Sequence, residues 1–301
     1  MALVISKSGT TIEPMDAIYA IQNQLVDVCD IDIITITDKS HGKLLDLSEK
    51  NHWLHFTVPE GIGGLFSVLS QVGIVFGTLC GIDVEELLRG AAAMEEACQS
   101  SDWQKNPALA LAAMKYIATK KYGIVSEVVM PYGDSLRSLG WWYAQLMAES
   151  LGKRYNLKGE TVHYGRTLTP CVGTTDMHSM TQEHQEGKIN KMIQFISVDK
   201  RNSSLEVECE ESGKTGIIDL GRVITAAMKS NAEALASGHR MSCEITMPEI
   251  SPYCIGGLIY FFMLAVAYEG AMAGINAFDQ PGVEAYKKIL HAYIRKFIDE
   301  E

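Results

Sequence analysis

A run of six residues near the start of the chain has the composition of an anion-binding loop, Ser6-Lys7-Ser8-Gly9-Thr10-Thr11. It follows the apolar residues 3–5 and precedes a helical pattern. Hydroxyl groups, a glycine that lets backbone amides approach a ligand, and a helix N-terminus can together hold a phosphate with little protein charge. The run therefore predicts a phosphate-binding loop, with Ser6, Lys7, Ser8 and Thr11 as the binding residues. The alternative is an ordinary turn that caps a helix.

Three further side chains could transfer protons. Glu149 lies in the last turn of a predicted helix, where the negative end of the helix dipole favours a protonated carboxyl. His178 lies in the first turn of another helix, where a neutral imidazole suits acid–base work near pH 7. Lys287 follows a turn into a third helix. Each has an ordinary alternative: a Glu149–Lys153 ion pair, a histidine that packs or caps, and a lysine on a solvated face.

The elements that position these residues alternate between strand and helix. In the first half we expect strands at residues 3–5, 31–37 and 53–58, with helices at 13–29, 40–50, 65–80, 84–99 and 107–120, the last capped by Asn106. In the second half we expect strands at 123–130, 192–198, 205–209 and 242–247, with helices at 134–152 (capped by Asp134), from 174, 220–237, 253–273 and 282–298. The pattern predicts parallel α/β sheets with covered faces, and one and a half such units.

Composition excludes several classes of protein. A net charge of −11 argues against nucleic acid as a partner. The seven cysteines form no CxxC pair and the histidines are dispersed, so we expect a reducing compartment, a cytoplasmic protein and no protein-bound metal. The uncharged stretches 61–82 and 251–268 are interrupted by glycines and lack flanking basic clusters, so we expect buried helices rather than membrane spans.

Five segments in order resemble the phosphoglucose isomerase family, which is built from two sugar-isomerase (SIS) domains: SKSGTTIEP at 6–14, VPEGIGGLFSVLS at 58–70, AESLGK at 148–153, GTTDMHS at 173–179 and FDQPGVEAYKK at 278–288. The resemblance implies an α/β fold, a three-layer parallel-sheet sandwich of the doubly wound SIS type. It also implies an incomplete N-terminal domain with the phosphate loop at 1–121 and a complete C-terminal domain at 122–301.

The resemblance implies the reversible conversion of D-glucose 6-phosphate to D-fructose 6-phosphate, in glycolysis and gluconeogenesis, without a cofactor. Glu149 matches the base that moves a proton between C2 and C1 through a cis-enediol. His178 matches the histidine that assists ring opening across a homodimer interface, and Lys287 matches the lysine at the ring oxygen. Ser6, Lys7, Ser8 and Thr11 match the phosphate loop.

Two departures from the family pattern open a second hypothesis. Leu65 stands where the family has an arginine that stabilises the enediol intermediate, and family members carry roughly a hundred or more additional residues at the front. Loss of such a donor can cost about 100- to 1,000-fold in turnover, and residues 3–5 would form an unprotected sheet edge or rest on another chain. The alternative function is therefore a sugar-phosphate-binding protein without efficient turnover.

Overall fold

The computed structural model describes residues 1–9, 11–24, 31–201 and 205–300. They form two compact units, Met1–Leu88 and Arg89–Glu301. The boundary between the units falls within the helix α4 (Val84–Ala97). The domain boundary expected at residue 121 stays a prediction, and residues 89–121 belong to the second unit.

The first unit is built on three parallel strands. Its elements are β1 (Ala2–Ile5), α1 (Ile12–Gln24), β2 (Ile33–Thr37), α2 (Lys43–Lys50), β3 (Leu54–Thr57) and α3 (Gln71–Leu79). The strand order is β1-β2-β3, so β1 lies at an edge of this sheet. The predicted end of α1 near residue 29 lies outside the described residues. Val4, Ile18 and Leu44 form the core of this unit with their neighbours, because the apolar faces of both helices pack on the strands.

The single helix expected at 65–80 is wrong. Residues Gly64–Leu69 form a 3-10 helix, and α3 begins only at Gln71. Ser70 separates them: its backbone is extended, and its side chain accepts a hydrogen bond from the Val72 amide at 3.4 Å. A serine in this conformation caps a new helix instead of continuing the old one.

The second unit contains a four-stranded sheet in which every pair of strands is parallel, in the order β11-β8-β4-β7. The strands of the whole unit, including those of two smaller sheets, are β4 (Ser126–Pro131), β5 (Lys153–Tyr155), β6 (Thr161–Tyr164), β7 (Thr167–Pro170), β8 (Lys191–Lys200), β9 (Glu206–Glu211), β10 (Lys214–Asp219) and β11 (Met241–Glu249). Its helices after α4 are α5 (Pro107–Tyr122), α6 (Arg137–Leu151), α7 (Thr175–Glu186), α8 (Leu220–Ser237), α9 (Pro252–Ala273) and α10 (Pro281–Asp299).

Side-chain alternation along the strands divides this unit into three layers. Val128 and Met130 of β4 face the apolar side chains of α7 and α8. Glu127, directly before Val128 in the sequence, faces α5 and α6 on the opposite side of the sheet. Because successive strand residues point to opposite faces, the sheet lies between two layers of helices and packs against both. The predicted three-layer α/β sandwich is confirmed.

Local signals set some helix boundaries and failed at others. Asn106 caps α5, as predicted, by accepting the Leu109 amide at 2.9 Å. Asp134 does not cap α6, which starts at Arg137 after a 3-10 turn, and the Asp134 carboxylate instead accepts two hydrogen bonds from the Arg137 guanidinium. The competing cation three residues away attracts the carboxylate more strongly than neutral amides do.

The strands expected at 192–198 and 205–209 do not pair with each other. β8 lies between β4 and β11, whereas β9 pairs antiparallel with β10, a strand that the sequence pattern did not predict. A second two-stranded sheet, β5 with β6, was also missed. The part of the intervening turn at 202–204 lies outside the described residues.

An ionic network is buried between the sheet and the helices α5, α6 and α9. Glu127 accepts hydrogen bonds from Lys115 at 2.5 Å and from the Arg166 guanidinium at 3.2 Å. Arg166 also donates to Glu269 at 2.5 and 2.8 Å. All four side chains are at most 2% exposed. Burial opposes the charge on Arg166, but the hydrogen bonds and attraction of Glu269, with that of Glu127, hold its pKa above the ordinary value.

Helix α9 is the one helix in the described ranges that is long and apolar enough to cross a membrane by length and composition. It packs against α5 and α6, and Glu269 on it joins the buried network. The start of α9 also packs closely on α4 at Gly90, where an added Cβ would lie 1.8 Å from the Tyr253 carbonyl oxygen. It is a core helix of this unit, as the sequence predicted.

Candidate functional site

The phosphate loop lies at the carboxyl end of β1 and leads into α1. The Ser6 hydroxyl is buried and donates to the Thr11 hydroxyl at 3.3 Å, which closes the loop across its width. The Lys7 ammonium donates to the Ile62 carbonyl at 2.6 Å. Ser8 and Thr11 are exposed. The predicted loop therefore exists as a turn with hydroxyls at its surface; Thr10 lies outside the described residues.

A second helix N-terminus adjoins this loop. Gly9 has a left-handed backbone (φ 61°), and an added Cβ would lie 2.7 Å from the Leu44 amide nitrogen. Gly42, just before α2, likewise packs on the Ser8 carbonyl. Only glycine allows the loop to approach the first turn of α2 so closely. The positive ends of α1 and α2 both face the loop region, which favours an anion there.

Leu65, which the sequence motif predicts to stand at the position of the family's arginine, is buried, at 7% exposure. It lies in the 3-10 helix Gly64–Leu69, where the Ser67 hydroxyl donates to the Gly64 carbonyl at 2.7 Å. The position therefore supplies an apolar side chain and no donor.

Glu149 lies in the last turn of α6 and is partly buried. Its carboxylate accepts a hydrogen bond from the Gln145 amide at 3.1 Å. The two residues are four apart and therefore lie on one helix face. Sequence reasoning missed Gln145, although this spacing from Glu149 is a signal that could have found it. The hydrogen bond fixes the direction in which the carboxylate points.

Lys153 does not make the side-chain ion pair with Glu149 that the spacing suggested as an alternative. Its ammonium donates to the backbone carbonyl of Glu149 at 2.5 Å and to the backbone carbonyl of Asp279 at 2.6 Å. The Asp279 carboxylate lies 3.6 Å away. The motifs AESLGK and FDQPGVEAYKK, far apart in sequence, thus meet at one buried ammonium.

His178 is exposed in the first turn of α7. The entry to this helix is fixed by Gly173, whose amide donates to the Pro131 carbonyl at 2.9 Å and whose Cα lies so close to the Tyr132 ring that a Cβ would be 2.6 Å from it. Asp176 then accepts the Val172 amide at 2.7 Å. These contacts hold the first turn against the sheet and leave the imidazole at the surface.

Glu149 and His178 of one chain lie at opposite ends of the strand β7. Gly152, just after α6, contacts Gly165, two residues before β7. His178 follows the carboxyl end of this strand. At about 3.3 Å per residue, the extended segment 167–173 separates the two ends by roughly 20 Å. A single chain therefore does not bring Glu149 and His178 together.

Lys287 is partly buried in the second turn of α10. The helix starts at Pro281, which suits a first helical position because proline has no amide hydrogen to satisfy. Asp279 lies two residues before this start, so the contact with Lys153 fixes the origin of the helix that carries Lys287. Among the described residues, no group of three or more His, Cys, Asp and Glu side chains could hold a metal ion.

At the other end of α7, His184 is buried at 1% exposure. In the described part of the chain neither ring nitrogen has a hydrogen-bond partner. Burial lowers the pKa of His184 below its usual 6.5, although Glu183 opposes the shift. This imidazole is a neutral core residue, in contrast to the exposed His178.

Comparison with known proteins extends over the entire chain. The sequence model of phosphoglucose isomerase matches residues 1–301. The chain is 35% identical to the glucose-6-phosphate isomerase of Carboxydothermus hydrogenoformans over 300 residues, covering 97% of this chain and 64% of the relative. It is 36% identical to a probable glucose-6-phosphate isomerase of Methanococcus maripaludis, covering 97% of this chain and 65% of that protein. The chain thus spans less than two thirds of the length of these curated relatives.

Solved structures show the same fold. A glucose-6-phosphate isomerase from Chlamydia trachomatis superimposes with a TM-score of 0.83 at 26% identity, covering 99% of this chain and 60% of that one. A hypothetical protein from Thermus thermophilus superimposes with a TM-score of 0.88 at 29% identity, covering 97% of this chain and 71% of that one. The motifs, the fold and the match over the whole sequence lead to one conclusion: the chain belongs to the phosphoglucose isomerase family.

Proposed function

We propose that this chain interconverts D-glucose 6-phosphate and D-fructose 6-phosphate. In the open-chain aldose, the Glu149 carboxylate removes the proton from C2 and returns it to C1. The C2 hydroxyl becomes a carbonyl and the C1 aldehyde becomes an alcohol, so no external oxidant or reductant is needed. Such a step requires a positioned base, and the observation that carries the proposal is the Glu149 carboxylate, oriented by Gln145 and joined through Lys153 to the segment that leads into α10.

The phosphate group of the substrate is assigned to the loop that contains Ser6, Lys7, Ser8 and Thr11. Its support is the pair of helix N-termini next to Gly9 and the exposed hydroxyls. Anchoring the phosphate would restrict the motion of the bound substrate, and such positioning lowers the barrier for a proton transfer. Lys287 would act at the ring oxygen when the hexose ring opens.

His178 is proposed to assist ring opening in the site of a second copy of the chain. The topology supports this assignment, because Glu149 and His178 of the same chain lie at opposite ends of β7 while the imidazole remains exposed. A homodimer would bring the two residues together. A cytoplasmic location belongs to the same proposal.

The test is a coupled assay for fructose 6-phosphate formation. Glu149→Gln keeps the size of the side chain and the contact with Gln145, but removes the base, so kcat should fall by about 10²- to 10⁴-fold. Glu186→Gln is the matched control: Glu186 also lies in the last turn of a helix and accepts a hydrogen bond from Gln182, four residues earlier, at 2.8 Å. Unchanged turnover in Glu149→Gln would contradict the assignment.

The second candidate, a sugar-phosphate-binding protein without turnover, is favoured by the buried apolar Leu65. Calorimetric titration with 6-phosphogluconate separates the two functions. Binding of this analogue by a chain that forms no fructose 6-phosphate would establish the second function and exclude the first.

A further inference from the structure

The C-terminal end of α6 has a backbone acceptor that the helix itself cannot satisfy. The last four carbonyls of a helix have no partner within it. The Gly152 amide donates to the Ala148 carbonyl at 3.0 Å. The Lys153 ammonium donates to the next carbonyl, that of Glu149, at 2.5 Å. The helix turn that carries Glu149 is therefore completed by a side chain.

The same ammonium reaches a turn 126 residues further along the chain. It donates to the Asp279 carbonyl, while Asn276 donates to the Asp279 carboxylate at 2.9 Å and accepts the Phe278 amide at 3.0 Å. The turn before α10 is thus held internally by Asn276 and externally by Lys153. Because Pro281 starts the helix directly afterwards, a shift of this turn would shift the first turns of α10 and Lys287 with them.

Burial and two hydrogen bonds restrict the position of the Lys153 ammonium. Lys153 is 5% exposed, and burial lowers its pKa, opposed by the charges of Asp279 and Glu149. Two of its three N–H donors point at the backbone carbonyls of two different segments. Because these two carbonyls belong to segments far apart in the sequence, the ammonium ties the position of one segment to that of the other.

We propose that Lys153 is a positioning residue, whose ammonium ties the last turn of α6 with Glu149 to the turn before α10 with Lys287 and so sets the spacing between the base and the ring-opening lysine. This inference rests on the proposed isomerase function. In that function, the carboxylate and the ammonium must act on neighbouring atoms of one hexose, and a displacement of about 1 Å can cost about 100-fold in rate.

The test uses Lys153→Met in the full chain, with Lys158→Met as the matched control, because Lys158 is an exposed lysine in the turn between β5 and β6. We expect kcat to fall about 100-fold in Lys153→Met while KM changes less than about threefold, because the phosphate loop is untouched. Lys158→Met should leave both constants unchanged. A raised KM with unchanged kcat, or no change in either constant, in Lys153→Met would overturn the proposal.

Hydrogen exchange provides a measurement that does not depend on turnover. Amides at 282–287 should exchange about tenfold faster in Lys153→Met than in the wild type or in Lys158→Met. Lys153→Gln serves as a second variant if Lys153→Met does not fold, because it keeps a donor but is too short to reach both carbonyls; the same changes are expected. Unaltered exchange at 282–287 would refute the tie between the two segments.

The two measurements also separate this inference from the proposed function. A wild-type chain that binds 6-phosphogluconate without turnover, combined with faster exchange at 282–287 in the variant, would reject the isomerase function and retain the tie. An active wild type with unaffected kcat in the variant would retain the function and reject the role of Lys153.

Discussion

Replacing Glu127 by glutamine is expected to destabilise the second unit by about 3 to 5 kcal/mol. The Glu127 carboxylate is fully buried and shared between Lys115 at 2.5 Å and Arg166 at 3.2 Å. At an effective dielectric constant of about 20, these distances correspond to attractions of about 7 and 5 kcal/mol. Two effects of the substitution offset much of the lost attraction. A neutral amide has a smaller desolvation cost than the buried carboxylate, and it retains some of the hydrogen bonds. What remains is two buried cations, Lys115 and Arg166, and one buried carboxylate, that of Glu269, which contacts Arg166.

The assay is equilibrium unfolding in urea, followed by tryptophan fluorescence. Three of the four tryptophans, Trp103, Trp141 and Trp142, lie in the second unit, so the signal mainly reports this unit rather than a two-state transition of the whole chain. Glu233→Gln, on the exposed face of α8, should change the free energy of unfolding by less than about 0.5 kcal/mol.

A double-mutant cycle tests the electrostatic cause. Lys115→Met removes one of the two cations, so in the Glu127→Gln background it should restore charge balance and cost at least about 2 kcal/mol less than in the wild type. Additive effects, or a cost below about 1 kcal/mol for Glu127→Gln alone, would show that the network is not the source of stability inferred from its geometry.

Three further predictions concern the loop, Leu65 and the buried imidazole. Gly9→Ala should weaken binding of 6-phosphogluconate at least about tenfold in calorimetry, because its left-handed backbone and the α2 amides leave no room for a Cβ. Leu65→Arg should raise kcat in the coupled assay by up to about 100-fold, because it restores a donor for the enediol intermediate. His184→Leu should flatten the loss of stability between pH 7 and 5, measured as the urea midpoint. The folded wild type binds the His184 proton more weakly than the unfolded chain, so its stability falls as the pH drops through 6.5, by at most about 1.4 kcal/mol per pH unit.

Each of these variants has a matched control. Gly81→Ala carries the same left-handed strain (φ 75°) with no atom within 4 Å of the new Cβ, so equal losses of affinity in Gly81→Ala and Gly9→Ala would refute the steric argument. Leu65→Met adds length without charge; an equal gain from it would exclude the electrostatic explanation. His291→Leu changes an exposed histidine and should keep the wild-type pH dependence, and the same flattening there would contradict the assignment to His184.

Local sequence signals determined several elements by themselves. Asn106 before Pro107 predicted the start of α5, since an N-cap residue and a proline at the first helical position are sufficient to begin a helix. The bounds predicted for α8 agree with Leu220–Ser237, with Asp219 as its cap. The five motifs predicted the family, because several long motifs in a fixed order are specific for one family even when no contact between residues is known. The roles of Glu149, His178, Lys287 and the phosphate loop stay predictions of that resemblance.

Tertiary structure decided which groups the polar side chains contact. Asp134 had the residue type of a cap, but Arg137 took its carboxylate. Lys153 had the spacing of an ion pair with Glu149, but its ammonium joins two carbonyls from distant segments. Such choices depend on which groups long-range folding brings within about 3 Å, and hydrogen bonds weaken steeply beyond that distance. The sequence by itself therefore determined the fold class, the family and the residue types of the candidate site. Only the tertiary structure placed Glu149 and His178 at opposite ends of β7 and joined Glu149 to the origin of α10, because those relations arise from how parallel strands and their crossover helices pack.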